Sequence, residues 1–519
     1  MFDLIIKNGN IIDGNANPIY KADIGILQGQ ICSIGEIDGT AENIIDATGC
    51  CVCPGFIDFH SHSDFSLLAN PRAESKIRQG ITTEVIGNCG DSAAPVLKEK
   101  LDLIKEKSNI DGYKIEWDWL SMKDYLSRIK QQGVALNIVP LIGHNTIRAA
   151  VMGYEERAPD PTEMARMKDL IVQAMDEGAR GLSSGLIYAP GCYATSRELA
   201  ELAQVVSERK GLYASHMRSE GNELIEAVKE TLLIGKETGV SVHISHHKAT
   251  GESNWGKVTQ TLALIDEANE SGLDVTADQY PYTASCTGLT SILPYWMLEG
   301  SVPDILARLK SNLIRDRLKD EIKVRPDYFE NTYLSCCENN PAFEGLNLMA
   351  LAADMKTDPM TAVFDLLIEE KTNVSIVSFA MSEKDVCTVM RHPKIMFGSD
   401  GQALADYGVL HKGKPHPRTY GTFPRIISKY VKQEKVLSLE EAVRKMTSLP
   451  AQRLGLSDRG QILSGNRADL TIFNLETIRD RATFSDPHQY PDGIEYVLVN
   501  GECVVSKGNH TGKLPGIVL

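Results

Sequence analysis

Two imidazoles spaced i and i+2, His60 and His62, close the apolar run Pro54-Gly55-Phe56-Ile57-Asp58-Phe59. On a strand, alternate side chains share a face, so both rings, with Asp58 in the same parity, can point at one metal ion. Alone the pair says little, because paired surface histidines are common. Its weight comes from donors that recur after later apolar runs. Cys89 stands in Ile86-Gly87-Asn88-Cys89-Gly90, His216 in Ala214-Ser215-His216, His246 in Ile244-Ser245-His246-His247-Lys248, and Asp400 in Phe397-Gly398-Ser399-Asp400-Gly401. Each has an ordinary explanation by itself. A buried cysteine is usually a small core residue, a buried histidine is more often hydrogen-bonded than ligating, and aspartate before glycine is a turn default. All of those explanations must hold together to account for the set. Four imidazoles, a thiolate and a carboxylate can share two adjacent divalent cations, or bind one tightly and a second loosely; imidazole with thiolate favours zinc.

The elements that must position these donors alternate in period. Strand patterns fall at 54–60, Thr83–Ile86, Ala135–Ile142, Ala179–Ser184, Gly211–His216, Val240–Ser245, Asp274–Ala277 and Ile395–Gly398. Amphipathic helices separate them. Asp160-Pro161-Thr162-Glu163 supplies an N-cap, a first-turn proline and an N3 glutamate, and Thr195-Ser196-Arg197-Glu198 predicts a second capping box. Eight strands with intervening helices predict an α/β fold, a (β/α)8 TIM-type barrel whose site lies at the C-terminal ends of the strands. Residues 283–390 exceed an ordinary connection and predict a partly helical, lid-like insertion before strand 8. The two ends, 1–53 and 455–519, instead carry short strands with Asn-Gly turn chemistry, as in Tyr496-Val497-Leu498-Val499-Asn500-Gly501. The barrel is thereby bounded to 54–454.

Bulk properties narrow the function classes. With 519 residues, 42% hydrophobic and 24% charged, the chain has the composition of an ordinary globular protein. A net charge of −15 argues against nucleic acid or an anionic membrane as partner. No apolar run reaches bilayer length, and Met1-Phe2-Asp3-Leu4-Ile5-Ile6-Lys7 lacks the features of a signal peptide. A cytoplasmic location without disulfides is the expectation for the eleven cysteines, with Cys50-Cys51-Val52-Cys53 as buried strand content.

The motif Pro54-Gly55-Phe56-Ile57-Asp58-Phe59-His60-Ser61-His62, histidines after strands 5 and 6, and Ser399-Asp400-Gly401 after strand 8 resemble the amidohydrolase superfamily. Many of its members bridge their metals with a carboxylated lysine or a glutamate on strand 4; Gly181-Leu182-Ser183-Ser184-Gly185-Leu186 offers neither. A cysteine after strand 2 in that role is similar to the D-aminoacylase (N-acyl-D-amino-acid deacylase) family. So are Gly185-Leu186-Ile187-Tyr188-Ala189-Pro190-Gly191, Tyr280-Pro281-Tyr282 and His416-Pro417-Arg418-Thr419-Tyr420-Gly421-Thr422-Phe423-Pro424-Arg425. The resemblance spans essentially the whole chain.

It implies a small β-sandwich built from both chain ends. It also implies one tight zinc on Cys89, His216 and His246, and a looser second position lined by His60, His62 and Asp400. Asp400 takes the proton from the attacking water and returns it to the leaving amine, although the residue types alone allow it to be ligand, general base or both. Lys248 and Arg418 grip the substrate carboxylate, while Tyr188 and Tyr280 donate hydrogen bonds. His144, after strand 3, is a further expected pocket residue. The expected substrate is a small-molecule N-acyl-D-amino acid. A neutral or hydrophobic side chain is favoured because Thr283-Ala284-Ser285-Cys286-Thr287-Gly288-Leu289 carries no arginine, although Arg308, Arg315 and Arg317 follow in the insertion. Two alternatives stand beside this one: a cyclic amide hydrolase of dihydroorotase or hydantoinase type, and a non-catalytic scaffold. The oligomeric state stays open.

Overall fold

A computed structural model describes residues 1–108, 110–325 and 327–519, with no account of the side chains of residues 110 and 111. Apolar runs predicted as strands form two parallel sheets. One has the order Phe56–Asp58, Ile81–Ile86, Asn137–Pro140. The other runs Ile142–Gly143, Gly181–Gly185, Leu212–His216, Ser241–Ile244, Val275–Gln279, Ile395–Phe397. Every residue of Ile81–Ile86, Gly181–Gly185 and Leu212–His216 is buried, the pattern of strands covered on both faces. Leu141 joins the sheets, donating its N–H to Ile86 O at 2.9 Å. At the opposite edge Asp400 N–H donates to His60 O at 2.8 Å, and Ser61 pairs in parallel with Gly401.

Helices fill the connections as their signals predict, with one instructive exception. Pro161–Asp176 starts on a complete capping box between Asp160 and Glu163. Ser196–Glu208 has only half of one: Thr195 accepts from Glu198 N–H, but the Glu198 carboxylate does not reach back. Instead it binds Arg148 at 2.6 Å and His144 at 2.9 Å in the interior. A fully buried arginine offers a stronger partner than a backbone amide, and it takes the glutamate away from the cap.

Strands from both chain ends combine into a single nine-stranded sheet. Phe2–Ile11 pairs in parallel with Cys51–Pro54, which pairs antiparallel with Leu470–Phe473. Cys51 and Cys53 are buried strand residues, and all eleven cysteines are free. Within the insertion, Ala284–Gly288, Val374–Phe379 and Thr332–Cys337 make an antiparallel sheet with its own apolar core around Leu334, Phe364 and Ile376. That sheet ends at Phe379, and Glu383–Arg391 is the helix leading into Ile395–Phe397, so this layer stops short of residue 390. No described helix is long and apolar enough to cross a membrane.

Two buried lysines tie this framework together. Lys76 is fully buried against Asp58 at 2.7 Å and Glu84 at 3.0 Å, and also donates to Gly401 O at 2.9 Å. Lys445, on Leu439–Met446, donates to the carbonyls of His392 and Ile395 at the start of the last parallel strand. Burial pushes the Lys445 ammonium down to about 7, against a weaker opposing pull from Glu441. The unfolded chain therefore holds this proton up to about pH 10.4 and the folded chain releases it near 7, so stability rises with pH between those values. Wild type should gain thermal stability relative to Lys445→Met as pH rises from 7 to 9.5. A difference in Tm that stays flat over that range would show that the ammonium keeps its proton on folding.

Candidate active site

The six donors come together. Cys89 Sγ lies 3.2 Å from His60 Nε2 and 3.4 Å from His246 Nε2, and His246 Nε2 lies 2.8 Å from His216 Nδ1. On the other side His62 Nε2 is 3.0 Å and His60 Nε2 3.6 Å from Asp400 Oδ1. Two donor groups result, Cys89–His216–His246 and His60–His62–Cys89–Asp400, with the thiolate common to both. The local backbone is bent to achieve this: Cys89, His246 and Asp400 all sit at positive φ, at 51°, 35° and 49°. Such conformations cost non-glycine residues on the order of 1 kcal/mol or more each and persist where the surroundings enforce them.

These donors suit a metal ion. Zinc bonds of about 2.0–2.3 Å in tetrahedral array put neighbouring donors about 3.3–3.6 Å apart. Cys89 Sγ and His246 Nε2, 3.4 Å apart, fall in that range, and His246 Nε2 and His216 Nδ1 lie closer, at 2.8 Å. Burial alone would raise the Cys89 thiol, but His60 and His246 hold it well below its ordinary value, so it is a thiolate. Burial likewise opposes ionisation of Asp400, and the Arg418 guanidinium, with His246 and His62, overrides it.

Sequence reasoning missed the groups that orient these donors. Asp278, near the end of Val275–Gln279, receives His60 Nδ1 at 3.1 Å and His243 Nε2 at 2.8 Å, and accepts His246 N–H at 3.0 Å. A carboxylate in a fully buried strand was its visible signal. Glu220 lies 2.8 Å from His246 Nδ1 and pairs with Lys248. Carboxylates behind metal-binding histidines fix ring orientation and raise basicity.

A cavity of about 490 Å³ opens onto the cluster. It is lined by Tyr188, Lys248, Tyr280 and Arg418 together with every donor except His60, and by the insertion through Ser285, Cys286, Thr287 and Ser335. Arg418 Nη1 is 2.8 Å from Asp400 Oδ2, and its guanidinium lies 4.5 Å from the centre of the Tyr280 ring. The Tyr280 hydroxyl is buried without a partner among the described residues, whereas Tyr188 shares a 3.0 Å hydrogen bond with Thr287. His144 does not line this cavity; its ring is fully buried and committed to Glu198. A helix begins at this residue and spans His144–Met152, which strand parity does not reveal.

The amidohydrolase family profile matches residues 43–309 and 359–505. A D-aminoacylase of Alcaligenes xylosoxydans xylosoxydans is 36% identical over 523 residues, covering 100% of this chain and 97% of that protein. The chain belongs to the amidohydrolase family, in its D-aminoacylase branch. Among solved structures of this branch, N-acyl-D-glutamate deacylase from Bordetella bronchiseptica, complexed with zinc and a phosphonate mimic of the tetrahedral intermediate, superposes with a TM-score of 0.84. It is 34% identical and covers 100% of this chain and 99% of its own. A D-aminoacylase structure concerned with the functional role of its binuclear metal center gives 0.86, with 34% identity and 100% coverage of both chains.

If Asp278 orients the donors of this amidohydrolase, Asp278→Ala should weaken zinc affinity by about 10–100-fold. Competition against a chromogenic chelator measures this, and wild-type affinity in the variant would leave Asp278 a purely structural residue.

Proposed function

We propose that the chain hydrolyses the amide bond of N-acyl-D-amino acids, releasing a carboxylate and a free D-amino acid. The observation that carries this is the seating of Asp400 between a thiolate–imidazole donor cluster and Arg418, inside one cavity. Cys89, His216 and His246 are assigned the tighter metal position, with His60, His62 and Asp400 at the second. A divalent cation, zinc by this donor chemistry, supplies Lewis acidity that polarises an amide carbonyl and acidifies water.

The remaining chemistry belongs to the chain. Asp400 accepts a proton from the attacking water and delivers it to the departing amine nitrogen. Arg418 and Lys248 hold the substrate carboxylate, and the unpartnered Tyr280 hydroxyl donates to an oxygen of the bound substrate. Tyr188 borders the same space. The D configuration rests on the branch to which the relatives belong.

The cavity favours a neutral side chain. Its described lining includes one arginine, Arg418, which the α-carboxylate engages. Arg308 and Arg315 are committed within the insertion, to Met297 O and Glu299 O and to Asp365. Arg317 stacks on Trp296. Lys412 reaches the cavity but is paired with Glu338 at 2.6 Å.

The architecture proposed with this function is a closed (β/α)8 barrel at 54–454, an insertion within 283–390, and a small β-domain from 1–53 and 455–519. Continuity through Leu141 and the hydrogen bonds from Phe59 to Phe397, Asp400 to His60 and His62 to Gly401 support closure, because they link both edges of the two parallel sheets.

Zinc-loaded protein should turn over N-acetyl-D-methionine and leave N-acetyl-L-methionine and a hydantoin untouched; turnover of either of those alone would refute the assignment. Asp400→Asn should keep its tight zinc and lose kcat by about 100-fold or more. Near-normal kcat in that variant would remove Asp400 from proton transfer. Arg418→Lys should raise KM for N-acyl-D-amino acids by about tenfold, since an ammonium lacks the fork, and steady-state kinetics reads this directly.

A further inference from the structure

Cys89 is fixed through its neighbours rather than through its own backbone. Beyond the strand Ile81–Ile86 the chain bends through Gly87, Asn88, Cys89 and Gly90, and neither the N–H nor the carbonyl of Cys89 makes a hydrogen bond with a described residue. The Asn88 side chain turns back to Val85 O at 2.8 Å and Ser61 O at 3.3 Å, and Gly87 N–H donates to Asp64 Oδ2 at 3.2 Å. Thr146 N–H donates to Gly90 O at 3.1 Å.

One side chain reaches both ends of this loop. Ser183 Oγ accepts Gly90 N–H at 2.9 Å and donates to Gly87 O. Ile142 O, at 3.5 Å, is the more distant of its acceptors. Ser183 is buried on Gly181–Gly185, the strand that supplies no ligand of its own. Its neighbour Ser184 is equally buried but points to the opposite face, where it bonds the Tyr213 hydroxyl at 2.8 Å and Ser215 Oγ at 3.0 Å. Two adjacent serines therefore differ in one respect: the first grips the cysteine loop and the second does not.

An oxygen bonded to Gly87 and to Gly90 sets the separation of the loop's ends. Gly87, Cys89 and Gly90 sit at φ of 76°, 51° and 79°, and the two glycines give a released loop many other conformations. The sulfur belongs to both donor groups, so moving it disturbs both metal positions together. Resting on the metal assignment proposed above, we infer that Ser183 is a positioning residue for the metal centre: its hydroxyl clamps the ends of the Cys89 loop and so holds the thiolate where the two donor groups meet.

Ser183→Ala, Ser183→Cys and Ser184→Ala are compared with wild type by chelator competition for zinc. The cobalt-loaded proteins are compared by the near-ultraviolet thiolate-to-cobalt charge-transfer band. Ser183→Ala should lose zinc affinity by about tenfold or more and show a weakened or shifted band. Ser184→Ala, which removes a hydroxyl just as buried, should keep both. Ser183→Cys nearly keeps the side-chain size but bonds weakly, so it should lose affinity in the same sense by less. Wild-type affinity and band in Ser183→Ala would overturn the inference. Equal losses in Ser183→Ala and Ser184→Ala would also overturn it, since general destabilisation would then account for both. Should the alanine variant not fold, wild-type affinity in Ser183→Cys overturns it in its place. A wild-type cobalt protein without the thiolate band would instead refute the metal assignment itself.

Discussion

Everything at this site depends on where the Cys89 sulfur is held. A buried thiolate is costly unless positive charge is close, and this one lies within 3.2–3.4 Å of imidazoles from two separate strands. It reaches that position through a left-handed residue flanked by Gly87 and Gly90, both at positive φ. The loop is pressed against the neighbouring strands so tightly that a Cβ on Gly185 would meet Cys89 O at 2.1 Å. That contact explains why the end of Gly181–Gly185 offers no ligand: the cysteine loop occupies the space a side chain there would need. A sulfur after the second strand and a glycine after the fourth are two halves of one steric solution.

The donors are rigid because their backing is charged and closed to water. Asp278 touches His60, His243 and the backbone of His246, so a single carboxylate sets the angle of rings from two strands. Lys76 does comparable work from below, joining Asp58 and Glu84 to Gly401 and thereby tying the first parallel strand to the loop that carries Asp400. Buried ion networks of this kind add little net stability, but removing one member leaves the others uncompensated, which penalises every alternative arrangement.

Much of this was legible in the sequence, for a definite reason. Strands buried on both faces read as short, largely apolar runs, so metal-binding residue types at their C-terminal ends stand out; His60, Cys89, His216, His246 and Asp400 were found that way. What escaped were pairings across sequence. Nothing near Glu198 announces Arg148, so its capping box looked complete when half of it faces inward. Asp278 and Glu220 gain meaning only from rings more than 25 residues away. His144 follows a strand like the residues of the donor cluster, but the chain turns into a helix at that residue and its ring pairs with Glu198.

In the proposed reaction, the pairing of Arg418 with Asp400 puts binding and proton handling in one place. A guanidinium is a planar fork, so it can meet Asp400 Oδ2 through Nη1 at 2.8 Å while Nη2 makes only a long 3.5 Å contact with Cys286 O that a second carboxylate could replace. The Tyr280 ring below fixes the plane of that fork. In the proposed reaction a substrate carboxylate bound to the same arginine therefore sits at a set distance from the group that moves the proton. An ammonium would direct its donors at a point and could not fix two carboxylates relative to each other. The scissile nitrogen, two bonds from that carboxylate carbon, is then brought to Asp400 by geometry alone, and substrates lacking the free carboxylate forfeit the alignment as well as the grip.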